Sequence, residues 1–177
     1  MEIYSVTTVL GKYFDWSKIP NQVLAEACKR GSLVHSACAA RALGGYVGRL
    51  PGMYAGYYES FCTWYENNVK ATMLCEHRLT CERLGFTGQL DFVFLLNTDE
   101  KALVDIKTPA ALGKSWKCQL AAYDYLLEQI PLHADTLMSL RLKMSGGPAL
   151  GERYEGERVS SFNVFLSALN SHRNLIG

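Results

Sequence analysis

Hydrophobic positions along the chain follow two periods, and the switch between them sets helical stretches around a stranded centre. From Ser5 to Tyr13, Val6, Val9 and Leu10 recur at helical spacing behind a Ser/Thr cap, which predicts a short helix ending at Gly11 or soon after. Pro20 suits the first turn of a longer helix. In that helix Leu24, Ala27, Cys28, Gly31, Val34, His35, Cys38, Ala39 and Ala42 form one small-residue face running to Gly44-Gly45. Residues 41–52 are Gly-rich and read as a loop. Helical spacing returns over 53–69 through Tyr54, Tyr57, Tyr58, Phe61, Cys62, Trp64 and Tyr65. So dense an aromatic stripe suits a helix packed on a sheet, and base stacking is the alternative use.

From Ala71 to Leu84 the period drops to two, with Met73, Cys75, His77 and Leu79 alternating against Thr72, Leu74, Glu76 and Arg78. A hairpin over 86–108 follows: two apolar runs, each broken by one acid, flank the turn-like Asn97-Thr98-Asp99-Glu100. Residues 109–114 read as a connector. Trp116 to Ile130 is an amphipathic helix with Leu120, Tyr123, Leu127 and Ile130 inward. Thr136 to Met144 alternates like a strand, turned by Ser145-Gly146-Gly147-Pro148 toward a short partner near Arg153 to Glu155. Ser160 is a candidate cap for a final helix to about Asn170. This order predicts a single α/β domain over 1–177, a mixed β-sheet flanked by helices.

Composition adds limits. With 177 residues, 49% hydrophobic and 20% charged, the chain falls in the ordinary globular class. A formal net charge of +1 excludes a general electrostatic footprint for nucleic acid, so such a partner needs a local basic patch. There is no apolar run long enough to span a membrane and no signal-like N-terminus, so a cytoplasmic location and no membrane partner are expected. The six cysteines contain no C-x-x-C pair and read as buried free thiols in a reducing compartment, not as a zinc or iron–sulphur site.

The candidate chemistry sits in the hairpin. Asp105 and Lys107 are i and i+2 on a strand and share a face, while Ile106 points into the opposite layer. Burying a carboxylate and an amine among Val, Ile, Leu and Phe is costly unless they are paired or bind a cation. Asp91 lies on the neighbouring strand. Two aspartates suit Mg²⁺, which takes one or two protein carboxylates together with substrate phosphate. Lys107 is placed to orient or deprotonate water and to stabilise developing negative charge. Gln119 and Tyr123, i and i+4 on the following helix, reach one site together. Register is the condition: Asp91 meets Asp105 only if the hairpin loop holds an odd number of residues or a bulge shifts it, whereas a regular four-residue loop separates them.

In this order the chain presents Gly31-x-x-x-His35, Glu76, Gly88-x-x-Asp91, Asp105-Ile106-Lys107-Thr108 and Gln119-x-x-x-Tyr123. The set resembles the PD-(D/E)XK nuclease superfamily, in its RecB-like and phage exonuclease branch. The resemblance implies a restriction-endonuclease-like core. It further implies that Asp91 and Asp105, with the Ile106 carbonyl, bind one or two Mg²⁺ or Mn²⁺ ions. His35 becomes a further metal ligand, Glu76 an acid at a metal or its waters, with Glu82 as its competitor, and Lys107 the catalytic lysine. Gln119 and Tyr123 match the family's helix motif near the scissile phosphate.

Lys114, Lys117, Trp116 and Thr108 are the candidate DNA contacts, with Lys12, Arg30, Arg41, Arg78 and Arg83 as further basic residues. No cysteine follows Cys118, so no iron–sulphur cluster is expected, and no P-loop motif is present. The implied activity is hydrolysis of DNA phosphodiesters, by an exonuclease of phage or prophage DNA processing in preference to a repair or restriction-type endonuclease. An inactive binding module of the same fold is the third reading. A homo-oligomer or a recombination protein is the further partner that this implies, in a bacterial or phage-infected host cytosol.

Overall fold

The computed structural model describes residues 2–12, 19–109 and 113–174. The predicted end of the first helix at Tyr13 and the middle of the 109–114 connector lie outside them. Elements run β1 (Tyr4–Ser5), α1 (Val6–Gly11), α2 (Asn21–Ala42), α3 (Gly52–Asn68), β2 (Val69–Cys81), β3 (Phe86–Leu96), β4 (Lys101–Lys107), α4 (Trp116–Leu127), β5 (Thr136–Arg141), β6 (Leu150–Arg153) and α5 (Arg158–Asn174). They build an α/β fold with one mixed six-stranded sheet flanked by helices. Among the described residues no helix is long and apolar enough to cross a membrane.

Local chemistry accounts for most boundaries. Ser5 caps α1 by accepting the Thr8 N–H at 3.0 Å. Prolines 20 and 51 precede α2 and α3, where a missing N–H costs nothing. Some boundaries differ from the sequence reading. The two-residue β1 is too short to leave a periodic signal. The partner of β5 falls at Leu150–Arg153 instead of 153–155, and α5 begins at Arg158, so Ser160 lies inside it and its hydroxyl bonds back to the Glu157 carbonyl.

Each sheet face carries its own core. On one side α1, α4 and α5 bury Val9, Leu90, Val93, Leu103, Leu120, Leu126 and Phe165. On the other, α2 and α3 bury Val34, Cys38, Phe61, Phe92, Phe94, Val104 and Ile106. The aromatic stripe of α3 is therefore spent on packing: Phe61 stacks on Phe92 at 5.6 Å and Tyr65 meets Phe94 edge-on at 5.5 Å. The small residues of α2 let that helix lie close to the sheet, with Val34 and Cys38 fully buried.

Topology leaves one gap. β2 pairs with β3 along nearly its whole length, so β1 and β4 must both use the other edge of β3. β1 takes Phe86 and Thr87, and β4 takes Phe92 to Leu95. Between them Gly88 to Asp91 have no strand partner on that edge. There the sheet opens.

Candidate metal centre and cleft

The hairpin loop has the odd count that the register condition asks for, but Asp91 turns toward α2 and Asp105 toward α4. The Leu96 N–H donates to the Glu100 carbonyl at 2.8 Å, which leaves Asn97, Thr98 and Asp99 as the loop, with Asp99 at φ +63°. That count is odd. The resulting register runs to Phe92 opposite Val104, the last pair of the ladder, with Asp91 and Asp105 next along their strands. The backbone ladder stops there, and the Ile106 N–H donates to Asp91 Oδ2 at 2.8 Å instead. A side chain thus replaces a backbone acceptor where the strands part.

Strand alternation also slips at this point. Phe86 and Leu90 face the α4 side, but Phe92 and Phe94 face the α2 side, so the period breaks at Asp91. On β2 the residue between Cys75, paired with Phe92, and His77, paired with Leu90, is Glu76, whose φ is +48°. A non-glycine residue in that region is strained, and such strain clusters at functional sites. The two irregularities are neighbours and aim both acids at α2.

From α2, His35 Nδ1 lies 3.3 Å from Asp91 Oδ1 and 4.0 Å from Glu76 Oε1. One ligand atom from each of His35, Glu76 and Asp91 lies within 4.8 Å of the others, a grouping that could hold a metal ion. The donor set, one imidazole nitrogen and carboxylate oxygens, suits a divalent metal ion. Glu76 Oε1 is buried and has no hydrogen-bond partner, while Oε2 accepts from Gln89 Nε2 at 2.5 Å. An orphaned carboxylate oxygen facing an imidazole and a second carboxylate is what a cation would satisfy.

Across the gap, on the α4 side, Asp105 is 2% exposed. Its Oδ2 is ion-paired with the Lys107 ammonium without hydrogen-bond alignment, and its Oδ1 accepts from Gln119 Nε2 at 3.0 Å. Gln119 also donates to the Tyr123 hydroxyl at 3.0 Å and accepts from Lys107 Nζ at 3.1 Å. One amide therefore fixes three side chains. Gly88 makes this possible: a Cβ there would sit 2.5 Å from Tyr123 Cε1. Asp105 stands outside the close His35, Glu76 and Asp91 grouping, and Ile106 contributes its N–H to Asp91.

Burial and charge pull on each titrating group. Burial lowers the His35 pKa, but the charge and hydrogen bond of Asp91, with help from Asp105, outweigh it and raise it to about 8. Burial raises Asp105 above the usual carboxylate range, against the pull of Lys107. Burial also raises Glu76, which Gln89 and His35 partly oppose. Tyr123 is raised by burial and then by the charges of Asp105 and Asp91, so its hydroxyl stays protonated.

These groups line one cleft of about 780 Å³, walled by Ser5 at the end of β1 and Thr7 in the first turn of α1, by Gly31, Ser32, His35 and Ser36 on α2, and by Arg78 and Gln89. The predicted DNA contacts fare unevenly. Trp116 is 8% exposed and packed under the Lys107 ammonium at 5.8 Å, which leaves no face for a base. Lys117 is paired with Glu157 at 2.5 Å, and Lys114 is exposed beside a separate cavity. Thr108 is buried and accepts from Arg30 Nε at 3.3 Å. Glu82 is exposed in the turn after β2 and does not line the cleft, so Glu76 is the acid the fold selects. Gln89 was missed by sequence reasoning, although its place opposite Arg78 follows from strand pairing.

Comparison of the sequence with protein-family models and with curated proteins gives no match in either case.

Proposed function

We propose that this protein is a divalent-metal-dependent deoxyribonuclease of the PD-(D/E)XK type, with a restriction-endonuclease-like core, close to the RecB-like and phage exonuclease branch. One observation carries the reading: a His35, Glu76 and Asp91 grouping and an Asp105, Lys107 and Gln119 network open onto the same cleft through a gap in the sheet.

His35, Glu76, Asp91 and Asp105 would hold Mg²⁺ or Mn²⁺, with the Ile106 carbonyl as a further candidate ligand. When bound, the ion supplies positive charge at the attacked phosphate and makes water more acidic. The chain does the rest. Lys107, held by Asp105 and Gln119, orients the attacking water and steadies negative charge on the phosphate. Gln119 and Tyr123 keep the lysine and Asp105 in one geometry. Asp91 is oriented by the Ile106 N–H, so its free oxygen points at His35. The substrate class is DNA, and the product is a hydrolysed phosphodiester.

An exonuclease is preferred to a repair or restriction-type endonuclease on the branch that the motifs resemble. The test uses labelled linear and closed-circular DNA with Mg²⁺, Mn²⁺ or EDTA. Metal-dependent loss of linear DNA with intact circles supports the exonuclease, and nicking of circles turns the assignment to an endonuclease. Binding without cleavage by any metal leaves the inactive module. Whether a second copy or a recombination partner assembles with the chain is read from its mass in solution with and without DNA.

A further inference from the structure

The cleft wall carries a cation that the proposed chemistry does not use. Arg78 on β2 and Gln89 on β3 are directly paired strand neighbours, and both are exposed and line the cleft. Arg78 Nη2 donates to Gln89 Oε1 at 3.0 Å, and Gln89 Nε2 donates to Glu76 Oε2 at 2.5 Å. No carboxylate lies within ion-pair distance of the Arg78 guanidinium among the described residues. The other lining cations are committed: Lys107 to Asp105, and His35 to Asp91. Glu76, Asp91 and Asp105 make the floor acidic, so a polyanionic strand needs compensating positive charge on the wall. A solvated guanidinium with unused donors is the group best shaped for a phosphate.

We infer that Arg78 binds a non-bridging phosphate oxygen of a DNA strand next to the attacked linkage, and that Gln89, through its own hydrogen bond, orients Glu76. The inference rests on the nuclease reading above and adds a substrate contact and a positioning residue to it. Ser32 and Ser36, one turn apart on α2 along the opposite wall, bound the same path with hydroxyls. A Cβ at position 31 would meet nothing within 4 Å, which leaves that wall open.

The experiment measures anisotropy of a labelled oligonucleotide across a salt series with Ca²⁺, and Mn²⁺ titration of the DNA-free protein by calorimetry. Arg78→Ala is expected to weaken oligonucleotide binding about tenfold and to make log Kd against log salt shallower by about one phosphate contact, with Mn²⁺ affinity unchanged. Arg78→Lys restores the salt slope. Gln89→Leu lowers Mn²⁺ affinity several-fold and leaves the salt slope alone. Wild-type affinity and slope in Arg78→Ala overturn the inference, as does a loss of Mn²⁺ affinity in that variant equal to that of Glu76→Gln. If the wild-type protein binds and cleaves DNA while Arg78→Ala behaves identically, this inference alone falls; if the wild-type protein binds no DNA, the nuclease reading falls with it.

Discussion

Asp91 and Ile106 are joined by a hydrogen bond of 2.8 Å in which the aspartate side chain accepts the backbone N–H that the β3–β4 ladder leaves unpaired. The same carboxylate thus serves the fold and the site. Asp91→Ala leaves a buried N–H without an acceptor and is expected to destabilise the protein by ~1–3 kcal/mol. Asp91→Asn keeps an acceptor, so it should melt within about 1 kcal/mol of wild type while losing Mn²⁺ binding and cleavage. Melting curves and a Mn²⁺ titration on both variants check this.

Lys107 and Asp105 form a pair in which removing one partner strands the other. Lys107→Ala is expected to lower kcat by roughly 10²–10⁴ and also to lower the melting temperature, because Asp105 stays buried without its counter-charge. Asp105→Asn combined with Lys107→Met should recover the stability and stay inactive. A double variant no more stable than Lys107→Ala would contradict this account of the pair.

The pH response of the metal-free protein follows from two raised pKa values. His35 moves from 6.5 to about 8, so the native state prefers the imidazolium. Its contribution is fully present below pH 6.5 and is lost as pH rises through about 8. Asp105 is raised from 3.8 by burial, so the native state also prefers its protonated form; that contribution is present below pH 3.8 and lost as pH rises beyond the carboxylate range. Both act in the same direction. Melting of the metal-free protein should therefore fall with pH across this interval, and His35→Gln should flatten the upper part. Mn²⁺ affinity should climb over the same range, because a cation needs the neutral imidazole.

Metal removal gives a direct readout. Mn²⁺ or Mg²⁺ at 100 times its Kd should stabilise the protein by about 2.7 kcal/mol, and EDTA should reverse it. Glu76→Gln, at the strained residue with the orphaned oxygen, should reduce that stabilisation.

Gly88 has a steric role beneath the chemistry. A Cβ at this position meets the Tyr123 ring at 2.5 and 2.8 Å and Leu126 Cδ1 at 3.0 Å. Gly88→Ala should cost ~1–3 kcal/mol through overpacking and should reduce kcat by displacing Tyr123 and, through it, Gln119. Thermal melting and steady-state kinetics on this variant test both effects.

The sequence by itself determined the helices, the three long central strands and the placing of Asp105 and Lys107 on one face, because residue periodicity and side-chain cost are local properties. It also set the candidates His35, Glu76, Asp91, Gln119 and Tyr123, all of which reach the cleft. Tertiary structure alone decided how they meet. The period of two breaks at Asp91 and at Glu76, and alternation read along either strand carries no sign of a slip that depends on its neighbour. The parting of β1 and β4 along one edge of β3 opens the cleft, and a two-residue strand has too few positions to show a period. Burial likewise removed Trp116 as a stacking surface and left Arg78 exposed, since accessibility is set by what packs from elsewhere in the chain.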